Sequence, residues 1–373
     1  MSFWKTMPVL VENFNEKSFT QIVSNEIFLN KINYELTNAH PDLKSEIIYN
    51  ITQKLLEKIK KFFDKNYSEN VFHRIHLYEF FSKRSFIVKI SIKETVVGYI
   101  FFKKKKYHIH DYGIYNFMDA SFLCFSKLIR NAGIIPFIIN HAIKESIESH
   151  NIPIISYSVS DQLKIPYYTS KQIIHRPIKI NKLIKSGFLT GNHSDYNQFK
   201  VYNKGSENYY IKYFNNELPA NNLLTELVEK VNNYNITNFK ICDIIDNIVL
   251  TELFLNKSFH HFIIYDNQHN QNIISYVNFY VLDCKITSIY SNSTIYNMYF
   301  KNKDIQNIHV IIESICEYCK INNIVDVFSF YDVFNCNYIR DMKCLYGAGV
   351  TKYYMLNFNI PFIQPFENSI IHI

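Results

Sequence analysis

A short apolar run, a cation, a glycine-containing turn and a helix start follow one another through residues 122–136, and together they form a place to hold a phosphate. Phe122, Leu123, Cys124 and Phe125 form the run, and Arg130, Asn131 and Gly133 the turn. Phe137, Ile138, Ile139, Ala142, Ile143 and Ile147 then recur at helical spacing. N–H groups at a helix N-terminus and the positive end of its dipole suit an anion, and Arg130 adds charge at the same corner. The same order also makes an ordinary strand-to-helix junction. Cys124 has no histidine at a recognisable spacing to activate it, which makes it an inert buried thiol. His175 beside Arg176 reads as a satisfied structural residue rather than a base. Cys316 and Cys319 form a lone C-x-x-C within a helical pattern, without the second pair that a zinc site needs, so helix packing accounts for them and no metal is expected.

These residues need a scaffold of strands and helices. Residues 86–92 and 95–102 read as a β-hairpin about Lys93-Glu94, feeding the Phe122 strand. Residues 43–63 carry the spacing of one amphipathic helix (Ile47, Ile48, Ile51, Leu55, Leu56, Ile59, Phe62), followed by a polar loop from Asn66 to Phe72. Residues 152–158 form another buried strand. The polar stretch 186–205 marks a boundary, giving halves of 1–190 and 191–373. The second half repeats the order of the first: a helix at 223–231, a hairpin of 259–265 and 273–282, a helix at 308–320 and a strand at 324–330. A weak internal duplication of one α/β unit follows.

The 373 residues, 47% hydrophobic and 16% aromatic, exclude a disordered or fibrous chain. A net charge of +7 is modest for this length, and without a nucleic-acid motif it gives no reason to expect DNA or RNA. Residues 103–106, four lysines in a row, read as a solvated loop or hairpin tip. Seven scattered cysteines and no signal peptide suggest reduced thiols in a cytoplasmic protein. No apolar run approaches the roughly 20 residues that span a bilayer.

Arg130-Asn131-Ala132-Gly133-Ile134-Ile135 is similar to the loose R-x-x-G-x-A pattern with which GNAT-type acyltransferases hold the pyrophosphate of an acyl-CoA. Phe122, Leu123, Cys124, Lys127, Arg130 and Pro136 resemble a narrower motif, Asn-Phe-Leu-Cys-Val-His-Lys-x-Leu-Arg-Ser-Lys-Arg-(Leu/Val)-Ala-Pro, of the glycylpeptide N-tetradecanoyltransferases, or N-myristoyltransferases. Phe3, Trp4, Thr6, Pro8 and Val9 match that family's Phe-Trp-x-Thr-Gln-Pro-Val. Asn66, Tyr67, Glu69, Asn70 and Phe72 resemble its acidic lid, shortened. Ser158 stands at a threonine position, and His175-Arg176 match Tyr-Trp-His-Arg with Ile173 and Ile174 in place of both aromatics. Asn278-Phe279-Tyr280, Tyr296 and Tyr299, Asp326-Val327-Phe328 and Gly347-Ala348-Gly349 continue the likeness in order.

The resemblance implies an α/β (α+β) fold of two GNAT-like halves, duplicated about a pseudo-twofold axis around one continuous mixed sheet. It implies transfer of tetradecanoyl from tetradecanoyl-CoA to the N-terminal glycine of proteins by a monomeric enzyme. The N-terminal half would hold the CoA thioester through Ser2, Phe3, Trp4, Phe122, Leu123, Cys124, Phe125, Arg130, Asn131, Gly133, Ile134 and Ile135. The C-terminal half would bind the peptide, with Tyr67, Phe72, Ser121, Ser158, His175, Asn278, Tyr299 and Ala348 at the substrate. The N–H groups of Phe122 and Leu123, if bulged, would form the oxyanion site. The Ile373 carboxylate, helped by Ser158, would be the base. Departures at 131–133, 173–174 and 348 leave two other readings: a GNAT-type enzyme using another acyl-CoA or amine, and a non-catalytic acyl-CoA or acyl-peptide binding module.

Overall fold

In the computed structural model, residues 20–37, 42–66, 85–129, 135–160, 163, 165–199, 209–266, 272–301, 305–331 and 343–371 are described. The chain opens with β1 (Thr20–Gln21), α1 (Asn25–Thr37), β2 (Leu43–Ile48) and α2 (Gln53–Asn66). Next come β3 (Ser85–Ile92), β4 (Thr95–Ile109), β5 (Gly113–Phe125), α3 (Ile135–His150), β6 (Ile155–Val159), β7 (Thr169–Pro177) and α4 (Ile180–Lys185). The second half runs β8 (Tyr209–Phe214), α5 (Asn221–Asn238), β9 (Ile241–Asp243), α6 (Asn247–Phe254), β10 (Phe259–Asp266), β11 (Ile273–Lys285) and β12 (Ile289–Phe300). It closes with α7 (Ile305–Ile321), β13 (Val327–Tyr331), β14 (Leu345–Leu356) and β15 (Phe358–Asn359).

The expected hairpin of β3 and β4 forms, with Lys93 and Glu94 both at positive φ (45° and 69°), the geometry of a two-residue turn that follows the right-handed twist. The single helix expected over residues 43–63 does not form. Residues 43–48 are instead β2, paired antiparallel with β3, and the helix starts at Gln53. Consecutive Ile47 and Ile48 suit a strand as well as a helix, and a sheet edge waiting at β3 decides between them.

Among the described residues thirteen strands make one mixed sheet, in the order β2-β3-β4-β5-β6-β14-β7-β13-β12-β11-β10-β8, with β9 paired to β4. The two halves of that order correspond. Outward from the central β14–β7 contact, β6-β5-β4-β3-β2 on one side matches β13-β12-β11-β10-β8 on the other. Each side contains one parallel pair, β5–β6 and β12–β13, crossed over by α3 and α7 respectively. The terminal strands are exchanged: β7, from the first repeat, pairs with β13 of the second, and β14 pairs with β6 of the first.

Phe28 and Ile32 of α1 and Ile138, Ala142, Ile143 and Ile147 of α3 cover one side of β3–β5. Ile311, Ile312, Ile315, Cys316 and Cys319 of α7 cover the corresponding side of the second half, so the C-x-x-C is helix packing as expected. Between the halves, Tyr99 and Phe101 of β4 meet Tyr276, Tyr280, Tyr296 and the helices α2, α5 and α6. Among the described residues no helix is long and apolar enough to cross a membrane, and no cluster suited to a metal ion is present.

Candidate active site

Phe122 and Leu123 sit where β5 departs from regular pairing. Tyr99 opposes Cys124 and Phe101 opposes Ser121, so two residues of β5 face Ile100 alone. This is a β-bulge, and Phe122 adopts φ 51° within it. A bulge re-aims the backbone groups of the residues it contains. The Phe122 ring packs edge-on against Phe101 at 6.0 Å, and Cys124 and Phe125 are buried behind it. Gly98, opposite Phe125, leaves room for this packing, since a Cβ there would lie 2.6 Å from the Phe125 ring.

The bulge lines a wedge. β5 and β6 pair in parallel only from Met118↔Ile155 to Ala120↔Tyr157. Beyond that point β5 follows β4, while Ser158 and Val159 of β6 follow β14 through Tyr353 and Lys352. Ser121 to Phe125 thus form one wall, with Ser158 across the gap. After β5 the chain passes through a turn at Lys127–Ile129, whose Lys127 N–H donates to Asn66 Oδ1 of α2 (3.2 Å), and reaches α3 at Ile135. A helix N-terminus therefore does follow the strand. Arg130, Asn131, Gly133 and Ile134 lie outside the described residues, as do Ser2, Phe3, Trp4, Tyr67, Phe72 and Ile373.

His175, on β7, bonds Ser329 Oγ through Nδ1 (2.7 Å) and stands beneath Gly347, where a Cβ would come within 2.6 Å of its Nε2. His175 and Ala348 are thereby neighbours, and Ala348 is exposed. Asn278 is buried, its Oδ1 accepting the Asn297 N–H at 2.7 Å. Tyr299 faces α5, 5.5 Å from Lys230 Nζ and 6.1 Å from the Tyr234 ring. Those two contacts place Tyr299 beside α5.

Burial lowers His175 to about 4, His260 to about 4 and His261 to about 3, from an ordinary 6.5. His175 is therefore neutral at physiological pH. For a histidine whose folded pKa is depressed, the unfolded chain binds the proton first. Stability is complete above about pH 6.5 and is lost as pH falls toward 4. Ring resonances of His175 should stay unshifted from about pH 8 to 5.5. A midpoint near 6.5 in that NMR titration would show the ring to be solvated and able to exchange protons.

The lysine run is not a hairpin tip. Residues 103–106 lie inside β4 with alternating exposure, and Lys103 and Lys105 point inward, 2% and 8% exposed. Lys105 Nζ meets Asp119 Oδ2 at 3.0 Å and Asp243 Oδ2 at 3.3 Å, and Asp119 Oδ1 also accepts from Tyr107 and Ser156 hydroxyls. Burial opposes the charge on Lys105, but the two carboxylates outweigh it and hold the group well above an ordinary lysine. Burial, with the Lys105 charge, pushes Lys103 well below. A cavity of ≈ 390 Å³ beside these lysines is lined by Tyr49, Ser85, His150 and Tyr296, and by none of Phe122, Leu123 or Ser158.

Sequence reasoning missed this network. Its one local signal is Asp119, the single charged residue in β5.

The second half repeats the geometry of the first. β12 and β13 pair only from Asn292↔Val327 to Thr294↔Ser329, and Tyr296 is an extra residue between Asn278↔Asn297 and Phe279↔Ile295. Here the gap is filled. Ser369 and Ile371 of the C-terminal segment line it with Tyr296, Met298, Phe330 and Tyr331, leaving a cavity of only ≈ 10 Å³.

The fold as a whole is also found in solved structures. Saccharomyces cerevisiae N-myristoyltransferase with bound myristoyl-CoA superimposes with a TM-score of 0.80 at 16% identity, covering 97% of this chain and 93% of that one. A second structure of it with myristoyl-CoA gives 0.81 at 15%, covering 100% and 95%. A third, with myristoyl-CoA and inhibitors, gives 0.82 at 16%, covering 100% and 96%. The chain has the N-myristoyltransferase fold. No protein-family profile and no curated protein sequence matches it. The likeness covers at least 97% of this chain and at least 93% of the yeast chain in each case.

Proposed function

We propose that this chain is a protein N-myristoyltransferase that transfers tetradecanoyl from tetradecanoyl-CoA to the N-terminal glycine of proteins. The observation that carries the reading is the bulge at Phe122 and Leu123 in the wall of an open wedge, within a fold whose solved examples hold myristoyl-CoA. Residues 1–190 hold the thioester, with Arg130, Asn131, Gly133 and the start of α3 at the pyrophosphate, and residues 191–373 hold the peptide. The glycine amine attacks the thioester carbon, and the carbonyl electron pair moves onto oxygen. The N–H groups of Phe122 and Leu123 stabilise that oxyanion, a contribution of about 3 to 4 kcal/mol per donor. As the carbonyl re-forms, the C–S bond breaks and CoA leaves as thiolate. The amine proton passes by way of Ser158 to the Ile373 carboxylate and ends on the thiolate. No covalent enzyme intermediate is needed, and buried Cys124 takes no part. The six described cysteines are buried thiols outside any disulfide, which fits the reducing cytoplasm, and we take the enzyme to act as a monomer.

Mass spectrometry of a glycine-starting peptide incubated with tetradecanoyl-CoA tests the reading. One tetradecanoyl group on the amine is expected, with shorter acyl-CoAs competing poorly. Transfer only from shorter chains would establish the other-acyl enzyme, and binding without turnover the non-catalytic module. In a panel varying downstream charge, exposed Ala348 and the shortened lid lead to a weak preference for basic residues; a strong one would contradict that part.

A further inference from the structure

The last stretch of the described chain, residues 367–371, is buried and mostly irregular, which raises the question of what satisfies its backbone. Ile370 and Ile371 are 0% and 5% exposed. At its start the segment rests on the β9 region: Lys240 N–H donates to Glu367 O (2.7 Å) and Ser369 N–H to Ile241 O (3.0 Å). Asn368 Oδ1 accepts the Ile370 N–H at 2.8 Å and folds the segment inward. Buried carbonyls outside a ladder still need donors. Two lysine ammonium groups supply them. Lys171 Nζ donates to Asn368 O at 2.6 Å and to Ile370 O at 2.8 Å, and Lys105 Nζ donates to Ile371 O at 3.4 Å.

Both lysines belong to the sheet rather than to the segment. Lys171 stands on β7, between β14 and β13 at the junction of the halves, is 0% exposed and lies 5.3 Å from the Tyr353 ring. Lys105 is fixed on β4 by Asp119 and Asp243. An ammonium offers three donors and no acceptor, so one Lys171 can hold two carbonyls that a neutral hydroxyl could not. Bonds to a charged donor are also the stronger kind.

We infer that Lys171, with Lys105 in support, is a positioning residue that clamps the C-terminal segment in the second wedge and thereby sets where the chain end stands for proton transfer. The inference rests on the transferase reading for its catalytic consequence, and on geometry alone for the clamp. Lys171→Met keeps the length of the side chain and removes every donor.

The full chain and Lys171→Met are compared by carboxypeptidase digestion with intact-mass readout, by calorimetric titration with tetradecanoyl-CoA, and by transfer kinetics. The wild-type chain should retain its residues up to Ile371, while the variant is trimmed beyond them. CoA affinity should be unchanged and kcat should fall about 10- to 100-fold, part of what general base catalysis contributes. A variant trimmed no further than wild type, or one with unchanged kcat, overturns the clamp. Should Lys171→Met fail to fold, Lys171→Gln, which keeps a polar but neutral and shorter donor in place of the ammonium, replaces it, and the same two results decide. Absence of transfer by the wild-type chain would refute the transferase reading, while the digestion result would still decide the clamp.

Discussion

On the proposed transferase reading, one glycine appended after Ile373 is expected to lower myristoyl transfer by about 100- to 10,000-fold, the usual contribution of general base catalysis, while leaving tetradecanoyl-CoA affinity unchanged. The reasoning starts from the weakness of a main-chain carboxylate, whose ordinary pKa of about 3.3 to 3.7 makes it a poor base in water. Burial of that group would disfavour its charged form and bring it closer to an amine. The approach to it, through Ile370 and Ile371, is buried in the core of the molecule. Each added residue moves the carboxylate by up to about 3.5 Å, more than a hydrogen bond tolerates. Single-turnover kinetics with a glycine peptide measures the effect, and titration with tetradecanoyl-CoA provides the control. Equal turnover by extended and native chains would relocate the base to a water held by Ser158.

Asp119→Ala is expected to destabilise the fold by about 3 to 5 kcal/mol, the range found when one member of a buried ion pair is removed. Asp119 is 4% exposed and accepts from Lys105, Tyr107 and Ser156. Without it the Lys105 ammonium keeps Asp243 at 3.3 Å but loses its nearer carboxylate, and the buried Tyr107 and Ser156 hydroxyls lose the carboxylate that accepts from them. Urea denaturation followed by tryptophan-independent far-UV signal gives the shift in midpoint. A loss below about 1 kcal/mol, the size of an exposed pair, would show that water reaches the site.

Features set by short-range pattern could be read from the sequence. The Lys93-Glu94 turn, the Phe122 strand, the helix after it and the α7 spacing all depend on residues within a few positions of one another, and all four are found. The bulge at Phe122 was expected only through family resemblance, because nothing local distinguishes it from a straight strand; the register against Ile100 creates it. Lys103 and Lys105 escape a local reading for a related reason. Four lysines in a row are ordinarily solvated, and what draws two of them inward is Asp119 on the next strand and Asp243 in the other half. The β2 segment failed as a helix because its partner, β3, begins 37 residues after Ile48. Contacts that long in sequence leave no periodic trace.

The exchange of β7 and β14 makes the two repeats interdependent in a specific way. A fragment ending near residue 199 carries β7 without the β13 it pairs with, and a fragment starting near 209 carries β14 without β6. Each lacks a partner strand and presents an unpaired sheet edge in the middle of what should be core. The link between the halves is then a tether joining two complementary pieces, and the molecule is in effect a covalent heterodimer. It has one cooperative unit where its internal repeat would suggest two, and a chain cut at the link could regain its shape only by reassociation of both pieces.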